Sequence, residues 1–226
     1  MTTDRTLVIV GASLAGAKAS EGARAAGFDG RVVLVGDERE PPYERPPLSK
    51  AVLRGETAPE TTHVHGEDFY ATHDIELWTG RTVEALDVDA GHVRLDGGEH
   101  LPFTTAVVAT GAAPRRLDVA GADLAGVHYL RSIGDSGRLG DAIRDARRVA
   151  VVGAGWIGSE VAASARQMGA EVLLIDPAAA PLHRVLGDEI GEVFCRLHAE
   201  HGVQLRLRTG VTELRGRSCT PWSACS

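Results

Sequence analysis

The chain has 226 residues, of which 43% are hydrophobic and 24% are charged. This composition is that of a globular protein with enough chain to build a core without metal or disulfide staples. The net charge of −7 at pH 7 disfavours nucleic acid as the main partner, because an acidic surface repels a polyanion. No apolar run approaches the roughly 18 residues of a membrane span, so we expect no membrane segment.

The cysteines and histidines argue against a disulfide-stabilised protein and against a metalloprotein. The three cysteines are Cys195, Cys219 and Cys225, which form no disulfide framework and predict a reducing, cytoplasmic compartment. Nine histidines are present, but none stands in a cluster with the ligand spacing of a metal site, so no metal is predicted. The sequence does not indicate an oligomeric state.

The chain begins with a strand, a glycine turn, a helix and a second strand. We predict the strands over 7–10 and 31–35 and the helix over 14–26. Both strands are unbroken apolar runs, which is typical of parallel strands covered on both faces. The pattern therefore predicts a βαβ unit.

The turn of this unit, Gly11–Gly16, is similar to a dinucleotide-binding turn, with Ser13 in place of the usual middle glycine. A serine hydroxyl can donate to a phosphate, and Asp37 ends the second strand, where an acidic residue can bind a ribose. A nucleophile elbow would need a glycine at Ala15, so the spacing disfavours a hydrolase. We interpret the turn as a dinucleotide site.

A second βαβ unit follows about 140 residues later, with strands predicted over 149–152 and 172–175 and a helix over 159–168. Its turn, Gly153–Gly158, matches the G-x-G-x-x-G fingerprint between a strand and a helix. Asp176 lies at the end of the next strand, where it would accept hydrogen bonds from the adenosine ribose. Because an acidic group repels a 2′-phosphate, we predict NADH rather than NADPH.

The region between the units has short β-like segments rather than long elements. We predict strands over 75–78, 81–88 and 92–95 as a small antiparallel meander, followed by a buried strand over 106–111. The fold class predicted is α/β, with two Rossmann-like units, parallel sheets and this meander. Further elements are predicted as helices over 135–147 and 189–201 and a strand over 203–207.

A proline-rich loop at 41–50 carries four prolines and ends on Lys50, one of only two lysines in the chain. Proline fixes the backbone and cannot join a central strand, so the loop is stiff. Two interpretations stay open: a polyproline II spacer, and a rigid loop that holds Arg45 and Lys50 against a cofactor.

Several of these segments together resemble the FAD-dependent ferredoxin reductases that serve Rieske dioxygenases and cytochromes P450, a branch of the pyridine nucleotide oxidoreductases. The resemblance covers about residues 5–215, and its most specific part is the proline loop. The segments that carry it are 8–16, 36–38, 43–50, 109–115, 151–160 and 180–187.

The resemblance implies a two-cofactor electron-transfer site. Lys50 would lie near the reactive edge of the isoalloxazine and stabilise reduced flavin, and Glu160 would help seat the nicotinamide; these two are the predicted catalytic residues. Val83 would contact the adenine through its backbone, and Arg131 would contact FAD. The motifs and the resemblance together imply, for FAD, Gly11, Ser13, Ala15, Gly16, Asp37, Arg45, Lys50, Val83, Thr110, Gly111 and Arg131, and, for NADH, Gly153, Gly155, Ile157, Gly158, Glu160 and Asp176.

The implied activity is NADH-dependent reduction of a ferredoxin-type iron–sulfur protein through FAD. Related disulfide reductases carry a cysteine pair around Pro46–Lys50, whereas no cysteine lies between Met1 and Phe194. A dithiol mechanism is therefore excluded. Two alternatives stay open: another FAD/NAD oxidoreductase, such as an NADH oxidase or a nitrite reductase flavin subunit, and a truncated, non-catalytic dinucleotide-binding fragment.

The resemblance also implies a domain plan. A complete family member of three domains would have roughly 300–450 residues. We expect residues 1–113 to be the first part of an FAD-binding domain and 114–216 an incomplete NAD-binding domain. Residues 217–226 hold two of the three cysteines, and we hypothesise that this atypical tail is out-of-frame translation.

Overall fold

The structure is a computed structural model that describes residues 5–216, so the atypical tail lies outside the described residues. It has an α/β fold that divides into two compact units. Among the described residues, the first unit contains residues 5–44 and 59–112, and the second contains residues 45–58 and 113–216. The proline-rich loop therefore ends in the second unit, although the domain plan from the sequence places it in the first.

The helices and strands are numbered in chain order. They are β1 (Thr6–Val10), α1 (Leu14–Ala25), β2 (Arg31–Val35), α2 (Ala51–Arg54), α3 (Phe69–Thr72), β3 (Ile75–Trp78), β4 (Val83–Asp87), β5 (His92–Leu95), β6 (His100–Pro102), β7 (Thr105–Val108), α4 (Ile133–Asp145), β8 (Arg148–Val152), α5 (Trp156–Gln167), β9 (Glu171–Ile175), α6 (His183–Glu200) and β10 (Val203–Arg206). Short 3₁₀ turns span Pro46–Ser49, Pro59–Thr62 and Asp96–Gly98.

The first unit is built on a four-stranded parallel sheet in the order β3-β2-β1-β7. Alternate residues of β1 and β2 enter two separate clusters, one on each face of the sheet. Val8 and Val33 pack with the antiparallel strands β4-β5-β6, whereas Ile9 and Leu34 pack with apolar residues that include Ala19 of α1. Burial on both faces explains why these strands are unbroken apolar runs.

The predicted antiparallel meander is present, but one of its three strands differs from the prediction. Ile75–Trp78 forms β3, which pairs in parallel with β2 and is not part of the meander. The third meander strand is β6 instead. The assignment of 75–78 to the meander was wrong because a four-residue apolar segment does not indicate which strand it will pair with, or in which direction.

The second unit is built on a three-stranded parallel sheet in the order β10-β9-β8. Its core joins Val172 and Leu174 of β9 to Val161 and Ala165 of α5, and Leu53 of α2 is part of the same cluster. Leu53 thus anchors the segment after the proline-rich loop in this unit. The two predicted βαβ units are confirmed as the parts of the fold that carry the glycine turns.

Candidate dinucleotide-binding sites

In the first unit, the carboxyl ends of three parallel strands meet at one edge of the sheet. Gly11 follows β1, Asp37 lies two residues after β2, and Thr110 lies two residues after β7. The chain leaves β1 through α1 to β2 on one side, while β7 pairs on the other side. The end of β1 is therefore the point where the strand order reverses, which is where open α/β sheets bind ligands.

The glycines of the first turn are required by the fold itself. Gly11 has φ +113°, and a Cβ on it would lie 2.2 Å from the carbonyl oxygen of Ala109. A Cβ on Gly16 would lie 2.0 Å from the carbonyl oxygen of Gly11. The chain after β7 thus runs directly against the turn, which brings Thr110 and Gly111 to it.

Ser13 is the N-cap residue of α1, with an extended backbone and no side-chain capping bond. Its hydroxyl is therefore free to donate to an anion at the helix N-terminus, where the first N–H groups and the helix dipole favour negative charge. Ala15 and Asp37 are exposed at the same edge. The groups present fit a bound diphosphate and ribose.

Val83 is half-buried in β4 and packs against the apolar cluster between the meander and the sheet. Its side chain is thus used by the core, and only its backbone would be available to a ligand. The predicted backbone contact to an adenine is compatible with this position.

In the second unit, the glycines of the turn after β8 separate into two kinds. Gly153 has φ +101°, and a Cβ on Gly158 would lie 1.8 Å from the carbonyl oxygen of Gly153, so the fold requires both. Gly155 has φ −74°, and its Cβ would meet no protein atom within 4 Å. Gly155 leaves room beside the N-terminus of α5, where Ile157 is 54% exposed. That room fits the close approach of a pyrophosphate.

Asp176 follows β9 and is held by two backbone donors. The N–H of Ala154 donates to Oδ2 at 2.6 Å and the N–H of Ala178 donates to Oδ1 at 2.7 Å. Each carboxylate oxygen keeps a further lone pair. The carboxylate is therefore a fixed negative charge beside the glycine turn, with capacity left to accept from a ribose.

Lys50 and Glu160, the predicted catalytic residues, form an ion pair within the second unit. Lys50 Nζ lies 2.7 Å from Glu160 Oε2, with side chains 44% and 28% exposed. Ser49 Oγ donates to the same oxygen at 2.5 Å. Glu160 also lines a cleft of about 510 Å³ together with Trp156 and Phe194, which is room for a planar ring.

Arg45 and Arg131 are also brought together in the second unit. Arg45 Nη1 donates to the carbonyl oxygen of Arg131 at 2.6 Å, and the N–H of Arg131 donates to Asp135 Oδ2 at 3.0 Å. Asp135 forms a capping box with Ser132 at the start of α4. Burial alone would raise the pKa of Asp135, but the bonds from Ser132 and Arg131 outweigh it and lower that pKa.

Three buried serines contribute to this arrangement and were missed by sequence reasoning. Ser49 contacts Glu160, Ser136 Oγ donates to the carbonyl oxygen of Leu48, and Ser164 Oγ donates to that of Ser49. They contact partners about 90 to 115 residues away in the sequence, so no local pattern indicates them. The Ser132–Asp135 capping box does have a local signal, an S-x-x-D before a helix.

Within residues 5–216, no group of three or more metal-ligating side chains comes together. The same part of the chain contains no helix that combines the length and the apolar character needed to cross a bilayer.

Two strand–glycine–helix turns, each followed by an acidic residue after the next strand, define a protein of the two-dinucleotide class. The chain belongs to the pyridine nucleotide-disulphide oxidoreductase family, whose family model matches residues 5–222.

Among the relatives of this chain are two reductases with curated names. It is 40% identical over 206 residues to a rhodocoxin reductase of Rhodococcus erythropolis, covering 91% of this chain and 48% of the relative. It is 42% identical over 204 residues to the ferredoxin–NAD(+) reductase component of an anthranilate 1,2-dioxygenase system of Burkholderia cepacia, covering 89% and 50%. The chain spans about half the length of these relatives.

A solved structure, the covalent complex of putidaredoxin reductase with putidaredoxin, is similar to this chain with a TM-score of 0.89 and 36% identity. The match covers 96% of this chain and 53% of the other. It supports the α/β fold over nearly the whole chain.

Proposed function

We propose that this chain is the dinucleotide-binding part of an NADH-dependent flavoprotein reductase, which passes electrons through FAD to a ferredoxin-type iron–sulfur protein. The observation that carries the proposal is the ion pair between Lys50, at the end of the proline-rich loop, and Glu160 of α5, the helix that begins at the Gly153–Gly158 turn. An ammonium and a carboxylate beside a dinucleotide turn are suited to a hydride-transfer site rather than to passive nucleotide storage.

FAD would be held by the first unit, with its pyrophosphate at the N-terminus of α1 beside Ser13 and its ribose at Asp37. NADH would be held by the second unit, with its pyrophosphate at Gly155 and its adenosine ribose at Asp176. Lys50 would place a positive charge near the flavin, and Glu160 would bind the nicotinamide end. FAD bound there would supply the chemistry of accepting a hydride from NADH and of releasing single electrons to the acceptor.

The partner is proposed from two sources. The relatives named above include a ferredoxin–NAD(+) reductase component, and a similar structure contains putidaredoxin bound to its reductase. The absence of cysteine before Cys195 favours transfer from flavin directly to an external acceptor. The distribution of cysteines also supports our proposal of a reducing, cytoplasmic compartment.

A comparison of electron acceptors tests this function against its alternatives. The FAD-loaded chain, given NADH, is expected to reduce a [2Fe–2S] ferredoxin faster than it consumes oxygen. Faster oxygen consumption would favour an NADH oxidase. NADH binding without reduction of ferredoxin or of ferricyanide would favour a non-catalytic dinucleotide-binding fragment.

A further inference from the structure

The carboxylate of Glu160 is contacted unevenly. Oε2 accepts a hydrogen bond from Ser49 Oγ at 2.5 Å and forms an ion pair with Lys50 Nζ at 2.7 Å. Among the described residues, Oε1 receives none. One oxygen is therefore occupied by the protein, and the other is available to a ligand.

Ser49 is 3% exposed, so its hydroxyl has no competing bulk water. Among the described residues, its other hydrogen-bond acceptor is the carbonyl oxygen of Pro46 at 3.3 Å. Because a hydroxyl has a single proton, the 2.5 Å contact to Glu160 is the stronger hydrogen bond. A bond to a carboxylate is also stronger than one to a neutral carbonyl.

The backbone that carries this hydroxyl is fixed by two buried serines. Ser164 Oγ of α5 donates to the carbonyl oxygen of Ser49 at 2.7 Å, and Ser136 Oγ of α4 donates to that of Leu48 at 2.7 Å. Both serines are 1% exposed. The Ser49 hydroxyl is therefore held in place before any ligand binds, so ligand binding requires little further ordering of this segment.

Lys50 cannot fix the carboxylate in the same way. Its side chain is 44% exposed, and the ammonium sits on a flexible stem and also donates to the carbonyl oxygen of Pro46 at 2.9 Å. A single donor on a flexible side chain leaves the Glu160 carboxylate free to rotate about its Cγ–Cδ bond. A second, rigid donor on the same oxygen removes that freedom.

We propose that Ser49 is a positioning residue of the NADH site: its hydroxyl holds Oε2 of Glu160, so that Oε1 stays directed to accept a hydrogen bond from the carboxamide N–H of the nicotinamide. The inference rests on the proposed function, since it needs a nicotinamide beside Glu160. It adds a residue that acts through Glu160 and does not itself touch the cofactor.

The first test uses the two lysines of the chain, Lys18 and Lys50. Isotope labelling of lysine gives one side-chain NMR signal for each, without any bound cofactor. Ser49→Ala is expected to move the Lys50 signal, because Glu160 then changes its contact with the ammonium. The Lys18 signal is expected to stay in place, since Lys18 pairs with Glu21 in the first unit, and it reports that the chain is folded.

The second test measures the equilibrium Kd for NADH in four chains: wild type, Ser49→Ala, Glu160→Ala and the double variant. A lost charge-assisted hydrogen bond predicts a rise in Kd of roughly five- to tenfold for Ser49→Ala. In the Glu160→Ala background, Ser49→Ala is expected to change neither the Kd nor the Lys50 signal. Ser49→Thr, which keeps the hydroxyl, is expected to restore most of the affinity.

The inference is overturned if Ser49→Ala leaves both readouts unchanged, or if it weakens NADH binding equally with and without Glu160. A wild-type chain that does not bind NADH would overturn the proposed function instead. The Lys50 signal would then decide by itself whether Ser49 controls Glu160.

Discussion

Lys50 Nζ lies 2.7 Å from Glu160 Oε2 and joins the end of the proline-rich loop to helix α5. Both side chains are partly exposed, and such pairs contribute only about 0–1 kcal/mol to stability. The pair is therefore not what holds the loop in place, which depends on buried Leu53 and on the serine hydrogen bonds to Leu48 and Ser49. Its importance lies in where it places two opposite charges.

The two kinds of glycine in the second turn predict two different phenotypes. Gly155→Ala is expected to leave the melting temperature nearly unchanged, because its Cβ meets no protein atom within 4 Å, and to weaken NADH binding. Gly158→Ala is expected to lower the unfolding free energy by roughly several kcal/mol, because its Cβ would clash with the carbonyl oxygen of Gly153. Thermal melts and NADH titrations measure both. A Gly155→Ala chain that binds NADH as tightly as wild type would show that the pyrophosphate lies elsewhere.

Asp176→Asn tests the choice between NADH and NADPH. The amide keeps the size of the side chain but loses the charge that repels a 2′-phosphate, so the preference for NADH is expected to fall by roughly tenfold. The substitution replaces one carboxylate oxygen by an NH₂ group, which cannot accept a hydrogen bond. One of the two N–H groups, that of Ala154 or that of Ala178, therefore loses its acceptor, which predicts a loss of about 1–3 kcal/mol in unfolding free energy. The ratio of the two Kd values checks the first effect and urea unfolding the second. An unchanged ratio would remove Asp176 from the ribose site.

Ser13→Ala tests the FAD site. Since Ser13 makes no side-chain capping bond, loss of its hydroxyl is expected to change the stability of the chain little. The same loss is expected to raise the Kd for FAD by about three- to tenfold. The matched control is Ser20→Ala on the same helix, because the buried Ser20 hydroxyl donates to the carbonyl oxygen of Ala17. That variant is expected to lower the melting temperature without changing FAD affinity. Flavin fluorescence titration distinguishes the two, and equal Kd values for both variants would contradict the assignment.

Asp135 predicts a pH dependence of stability. Its folded pKa is lowered from 3.8, so its stabilising contribution is fully present above about pH 4 and is lost as the pH falls through the folded pKa. Asp135→Asn is expected to lower the unfolding free energy by roughly 1 kcal/mol at pH 7. The difference from wild type is expected to shrink in urea melts below pH 4. A difference that grows as the pH falls would reverse the sign and refute this account of the capping box.

Much of this fold could be predicted from the sequence because its signals are local. The apolar runs at residues 7–10 and 149–152 mark the parallel strands β1, which is buried, and β8, which is a partly exposed edge strand, and the glycine turns follow them directly. Helix α6 was predicted to begin at 189 but begins at His183. Gly187 inside it has φ +75°, and this non-helical residue obscures the first turn in the pattern.

The site was predictable only in part, for the same reason. Gly155 and Asp176 belong to a fingerprint with fixed spacing, whereas Lys50 and Glu160 were assigned through a family resemblance. The hydrogen bonds of Ser49 and Ser164 join segments far apart in the sequence. Such contacts follow from tertiary packing, which periodicity and spacing do not encode.

The proposed function requires this chain to bind both FAD and NADH and requires NADH to reduce the bound flavin. The most direct measurement is an anaerobic absorbance titration of the chain after loading with FAD and removal of free flavin. We expect the chain to stay yellow and its flavin absorbance to bleach on addition of NADH, and much less on addition of NADPH. A colourless chain, or bound flavin that NADH does not bleach, would contradict the account.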